Sequence, residues 1–203
     1  LIGLVGSEMC IRDSSNPDDE RISRTDFGTY TKENFSNDLL DFNEGRPLSS
    51  EQTYLVSESY DAVKWLAGHG VTYEPIYSRQ SFEKDNKIIF WGGLALAARD
   101  EGVGLYNMEA KTFKNLGGSI RFNAGVTELL TSDQNVSGVI VDGEKYKADA
   151  VILACGGFEA NNKLREEEFG LEWNKAKVRG TPHNTGDGLT MAFALGAQRY
   201  GKF

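Results

Sequence analysis

Apolar residues recur at helical spacing through the first half of the chain and at strand spacing through much of the second. Phe35, Leu39 and Leu40 share one face of the stretch Tyr30–Leu40 and predict a short helix. "NEGRP" at 43–47 is a turn. Ser49 and Gln52 form a capping box, and Tyr54, Leu55, Tyr60, Val63, Trp65 and Leu66 carry a helix on to Gly68. Val71–Tyr77 reads as a brief extended piece, "QSFEKDNK" as a loop, and "IIFWGG" at 88–93 as a short apolar run meeting two glycines. A helix is expected over Gly102–Leu116, stopped by Gly117-Gly118.

The period then changes. "SIRFN" from Ser119 alternates as a strand does. "GVTELLTSDQNVSGVIVDG" gives two strand-like runs joined at Ser132-Asp133-Gln134-Asn135, a hairpin signal, and "EKYKA" gives a third. Ala150–Ala154 is an apolar, β-rich run of the kind buried on both faces of a parallel sheet. It ends on Gly156-Gly157. Asn161–Phe169 and a segment from Asp187 to about Gly196 read as helices. Helices, a β-meander, a buried strand and a last capped helix predict an α/β protein with an antiparallel excursion.

Two segments stand apart. Val5–Ser14 is similar to a translated sequencing-adapter artefact, so residues 1–14 are expected to be non-native and are set aside from fold reasoning. Ser15–Phe27 is polar and charged, and is expected to be a loop or frayed connection.

Composition narrows the function. The chain has 203 residues, 39% hydrophobic and 26% charged, with 22 basic against 30 acidic residues and a formal net charge of −8. An acidic chain without a basic run argues against nucleic acid and anionic membranes as partners. No apolar run approaches the ~20 residues of a membrane span. Two unrelated cysteines, Cys10 and Cys155, exclude a disulfide framework and fit a reducing compartment, so a cytoplasmic location is expected. No metal constellation is visible. The 23 glycines fit tight turns and close approach of the backbone to a ligand.

Three stretches carry candidate chemistry. "ADAVILACGGF" ends a strand on paired glycines, either a plain turn or a place where backbone meets ligand at the strand's carboxyl end. "NTGDGLTMAFALGA" opens a small-residue helix. Asn184 or Thr185 can cap it, and its first N–H groups favour oxygen acceptors. Asp187 in its first turn suits the helix dipole. It would repel a phosphate and suit a hydroxyl or N–H donor. "SIRFNAGVTELL" could present main-chain groups to a flat ring, or be an ordinary sheet segment. His69 reads as a solvated histidine at a helix end, and His183 as a loop histidine. Arg179 could face an anionic substrate or pair with a surface acid, and Trp91 reads as core packing.

Together these stretches resemble the flavoprotein family of fumarate reductase and succinate dehydrogenase. The resemblance runs from Gly117 to Gly201 and more loosely from Tyr54. "ILACGGFEANNKLREEEFG" and "AKVRGTPHNTGDGLTMAFALGA" are similar to the FAD-dependent tricarballylate dehydrogenases within it. The resemblance implies an incomplete FAD-binding, Rossmann-like α/β domain with an antiparallel β-meander and a helical insertion. Its helical part would span 15–118, and its meander, buried strand and capped helix 119–203.

The implied cofactor is FAD. A main-chain contact to the adenine edge falls on Val126. The strand end near the adenosine and pyrophosphate falls on Ala154, Cys155, Gly156 and Gly157. The Thr-Gly-Asp-Gly element falls on Thr185, Gly186, Asp187 and Gly188, with Asp187 touching the flavin nucleotide. The implied reaction moves a hydride between FAD and a small carboxylate substrate such as tricarballylate. Fumarate/succinate- or ketosteroid-type dehydrogenation and a non-catalytic remnant are the alternatives. The family's Gly-rich pyrophosphate loop, substrate-binding His and catalytic Arg match nothing in this sequence. The chain is therefore expected to be an internal piece of a longer enzyme, without a catalytic residue of its own, inactive alone, and binding FAD weakly or not at all by itself.

Overall fold

A computed structural model describes residues 2–3, 19–90 and 95–199. Its contacts divide the chain into two units, Leu1–Ile120 and Arg121–Phe203.

In the first unit, β1 (Ile2–Gly3) pairs antiparallel with β6 (Ala95–Ala98), which also pairs with β3 (Tyr73–Pro75). A second sheet sets β2 (Thr25–Asp26) parallel to β5 (Lys87–Phe90), with β4 (Ser81–Lys84) antiparallel on its other side. The helices are α1 (Glu20–Arg24), α2 (Lys32–Phe42), α3 (Ser50–Gly68), α4 (Tyr77–Gln80) and α5 (Glu101–Asn115).

Local chemistry explains the helix starts. Ser49 Oγ accepts from Gln52 N–H at 3.2 Å, and Gln52 Oε1 accepts from Ser49 N–H at 3.0 Å, the expected capping box. Thr31 and Asn34 form a second reciprocal pair before α2. The side-chain amides of Asn43 and Gln52 exchange hydrogen bonds of 2.9 and 3.1 Å, locking the α2–α3 turn. The core gathers Val63, Val71, Tyr73, Phe90, Ala95 and Leu96, with Phe27, Leu66 and Met108 packed around them. His69 is the C-terminal cap of α3. Its Nδ1 lies 2.7 Å from Trp65 O, and its ring lies 4.1 Å from the Trp65 ring.

The expected loop "QSFEKDNK" is instead most of a hairpin. Asp85 and Asn86 both carry positive φ, 50° and 61°, as a two-residue type I′ turn requires. Charged residues at 83–87 conceal this signal, and Ile88 and Phe90 supply the buried face. Trp91, Gly92 and Gly93 lie outside the described residues, as do Cys10 and the Val5–Ser14 stretch.

The second unit holds the meander: β7 (Val126–Ser132), β8 (Asn135–Val141) and β9 (Glu144–Lys147), all antiparallel. The expected hairpin forms, with Asp133 and Asn135's neighbour Gln134 at φ 50° and 68°. Asp142-Gly143 repeats the geometry before β9. Next come α6 (Asn162–Phe169), a 3₁₀ turn (Leu171–Lys175) and α7 (Asp187–Ala194), which packs against β7. Arg165 is buried and donates from Nη1 to Ala176 O at 3.1 Å, with Nη2 on Asn162 Oδ1, fastening α6 to the segment after the 3₁₀ turn.

Two sequence expectations fail here. "SIRFN" forms no strand: Asn123 has φ 52° and Phe122 is exposed, so alternation alone finds no ladder to join. Ala150–Ala154 is not a strand buried on both faces. It has no strand partner among the described residues, and Ile152 is 90% exposed. An apolar run becomes an interior strand only with a neighbour on each side. Among the described residues the single parallel pairing is the two-residue contact of β2 with β5.

Candidate functional site

The residues that the resemblance assigns to the cofactor all lie in the second unit. Ala154, Cys155 and Gly156 lie on the exposed segment leading from residue 151 to Gly157. Gly156 turns with φ 78°, and a side chain there would strike the Asn184 amide, with Oδ1 at 2.7 Å from a β-carbon. The chain then bends through Phe158–Asn161, where Asn161 N–H reaches Phe158 O at 2.9 Å.

The second loop, Asn184–Gly186, lies directly against this one. Gly186 N–H donates to Gly157 O at 3.0 Å, and Ala160 N–H donates to Asn184 O at 2.9 Å. Asn161 Nδ2 donates to Thr185 O at 2.9 Å. Gly188, the second residue of α7, meets Cys155. A β-carbon at 188 would fall 2.2 Å from Cys155 Sγ, so any side chain there requires the thiol to turn away. Five of the expected residues, Cys155, Gly156, Gly157, Thr185 and Gly186, thus belong to one fastened pair of loops, and Ala154 and the helical Gly188 adjoin it.

The cap of α7 differs from expectation. Neither Asn184 nor Thr185 caps it; Gly186 does, at φ 86°, and no side chain accepts from the first turn. The reason is visible in the loop. The carbonyls of Asn184 and Thr185 are turned toward Ala160 and Asn161, which carries both side chains off the helix axis. Thr185 N–H and Oγ1 both point to His183 O, at 2.9 and 3.4 Å. Asp187 is exposed, and its carboxylate has no hydrogen-bond or ion-pair partner among the described residues. Val126, half-buried, opens β7 opposite Val141, on the strand that neighbours α7.

Beside the loops, Phe158, Leu164, Leu189 and Phe193 line a small apolar cleft. The Arg199–Glu168 ion pair stands at its margin. Phe158 stacks on Phe169 with ring centroids 5.8 Å apart. Arg179 and His183 are exposed, and His183 N–H donates to Thr181 Oγ1 at 3.2 Å. Asn161 is the residue of this region that sequence reading missed. An Asn at a predicted helix start is the signal that could have found it.

The chemistry of this cradle suits a ligand that donates hydrogen bonds from O–H or N–H groups. Glycines keep side chains out of the crossing, the first-turn N–H groups of α7 have no side-chain cap, and a free carboxylate stands among them. That carboxylate makes an acceptor for O–H or N–H donors and repels a phosphate placed on the helix axis.

Comparison with known proteins gives this geometry its class. Residues 50–202 match the family described as FAD binding domain, and the chain belongs to that family. It is 33% identical over 94 residues to a 3-oxosteroid 1-dehydrogenase of Mycobacterium tuberculosis (strain ATCC 25618 / H37Rv), covering 38% of this chain and 16% of that protein. It is 24% identical over 169 residues to a vinyl phenol reductase of Lactiplantibacillus plantarum, covering 80% of this chain and 33% of that one.

The fold is similar to that of 3-ketosteroid-Δ4-(5α)-dehydrogenase from Rhodococcus jostii RHA1, solved with 4-androstene-3,17-dione. The TM-score is 0.64 at 20% identity, over 88% of this chain and 43% of that one. The chain therefore spans less than half the length of these relatives. FAD is the cofactor the family binds, and no described helix is long and apolar enough to cross a membrane.

Proposed function

We propose that this chain is the cofactor-cradling part of a flavin-dependent oxidoreductase that moves a hydride between FAD and adjacent carbons of a small molecule. The observation that carries the reading is the pair of fastened glycine loops with the free Asp187 carboxylate, in a chain of the FAD-binding family. In this proposal the main chain at Ala154, Cys155, Gly156 and Gly157 lines the adenosine and pyrophosphate, and the two glycines let it come close. Asp187 accepts from cofactor hydroxyls. Thr185, Gly186 and Gly188 set its place, and the main chain of Val126 meets the adenine edge. FAD, when bound, supplies the hydride chemistry; the protein supplies position and electrostatics. None of these residues is assigned the proton transfer that completes the reaction.

A carboxylate substrate such as tricarballylate is supported by the likeness of the Arg179–Gly188 run to tricarballylate dehydrogenases. A ketosteroid- or vinyl-phenol-type substrate is a second reading, supported by the names of the relatives. The test begins with flavin titration of the full chain, followed by flavin fluorescence. Weak but saturable binding is expected, and Asp187→Asn should weaken it about 10- to 100-fold, the worth of a hydrogen bond to a charged group.

Absence of saturable binding would overturn the reading. In the longer enzyme of which this chain is proposed to be part, bleaching of the bound flavin by tricarballylate or by a 3-ketosteroid, or reoxidation of the reduced flavin by vinyl phenol, then selects the substrate.

A further inference from the structure

We infer that Asn161 is a positioning residue for the cofactor: without touching it, Asn161 sets where the Asp187 carboxylate stands. This rests on the FAD reading above. Asn161 works from both ends of one amide. Its Oδ1 accepts from Leu164 N–H at 3.1 Å, capping α6, and its Nδ2 donates to Thr185 O at 2.9 Å, two residues before Asp187.

The other main-chain links of this loop are already committed. Asn184 O is taken by Ala160, Gly186 N–H by Gly157 O, and Thr185 N–H by His183 O. Thr185 O has the Asn161 amide as its partner, and α7 has no side-chain cap to steady its start. The start of α7 is therefore held from outside its helix at two points, Gly157 O on Gly186 N–H and the Asn161 amide on Thr185 O, and Asn161 is the one side chain among them. Few side chains can do this. Aspartate keeps the capping oxygen and loses the donor, serine has one polar atom where two are used, and glutamine places its amide one carbon too far.

Asn161→Asp isolates the second bond, because aspartate caps a helix as well as asparagine does. The flavin-free full chain is expected to melt about 2–4 °C lower, from one lost hydrogen bond and its stranded carbonyl, while FAD binds about tenfold more weakly. Asn161→Ala, which removes the cap too, is expected to lower both melting temperature and affinity.

The decisive measurement is the pair Asn161→Asp with Asp187→Asn. A residue acting through Asp187 has little left to lose once the carboxylate is gone, so the double variant should bind as weakly as Asp187→Asn alone. Losses that multiply, or an Asn161→Asp chain that binds FAD like the parent while Asp187→Asn is weakened, overturn this inference and leave the FAD reading standing. A parent chain with no saturable FAD binding overturns both.

Discussion

Gly186→Ala tests how tightly the two loops are seated. A β-carbon at 186 would lie 2.8 Å from Leu164 Cδ1 and 2.9 Å from Phe158 Cβ, at φ 86°. Carbon atoms in contact prefer about 3.5–4.0 Å, so both neighbours are overlapped. Leu164 can swing its methyl away, but Phe158 Cβ moves only with its backbone. The left-handed conformation costs an alanine about 1–2 kcal/mol, and an overpacked methyl about 1–3 kcal/mol. Together these take a large share of the about 5–15 kcal/mol that holds a domain folded.

For a chain of this length the melting temperature should fall by about 4–20 °C. Gly196→Ala is the control. Gly196 has φ 90° with open space where a β-carbon would go, so it carries the backbone cost alone, about 2–8 °C. Thermal melts of the flavin-free full chains by circular dichroism read both. Equal losses at 186 and 196 would refute the packing argument, because the contacts with Leu164 and Phe158 would then contribute nothing.

Two further outcomes concern the first unit. Ser49→Ala removes the reciprocal cap of α3 and should destabilise the chain by about 1 kcal/mol in chemical denaturation, with Ser50→Ala as the neutral comparison. Tyr30 has its phenol pushed up to about 12, first by burial and then by its 2.5 Å hydrogen bond to Asp38. Its folded pKa lies above the ordinary value of about 10, so its contribution is full below pH 10 and fades as pH rises toward 12. A tyrosinate absorbance titration should lose a late phenol in Tyr30→Phe, and that variant should lose this part of the alkaline fall in stability.

Local patterns were readable in the sequence; partnerships across the chain were not. The α3 cap, the β7–β8 hairpin and α7 follow from residues within a few positions of each other, so Ser49, Asp133 and Asp187 carry their own evidence. The β4–β5 hairpin hid because Asp85-Asn86 sits among charges that resemble any polar loop. Ala150–Ala154 misled for the opposite reason: its apolarity is real, but a buried strand depends on neighbours that no local pattern records. The candidate site falls between these cases. Its glycines were legible as a motif, while the choice of Gly186 over Asn184 or Thr185 as cap depends on Ala160 and Asn161, more than twenty residues away in sequence.

The stitching of residues 157–161 to 184–186 also bears on how this stretch can change in length. The chain leaves and returns at one place, where Ala160 N–H meets Asn184 O, so the excursion between them is closed at its base. Lengthening a closed loop costs only about 0.6 kcal/mol per doubling. Residues added or removed around 177–181, past the Ala176 carbonyl that Arg165 holds, leave the stitched base in place. A single residue inserted between Gly156 and Asn161 would shift each of its partners out of register. The protein thus has an elastic span mounted on an inelastic foot, and variation in length belongs to the span.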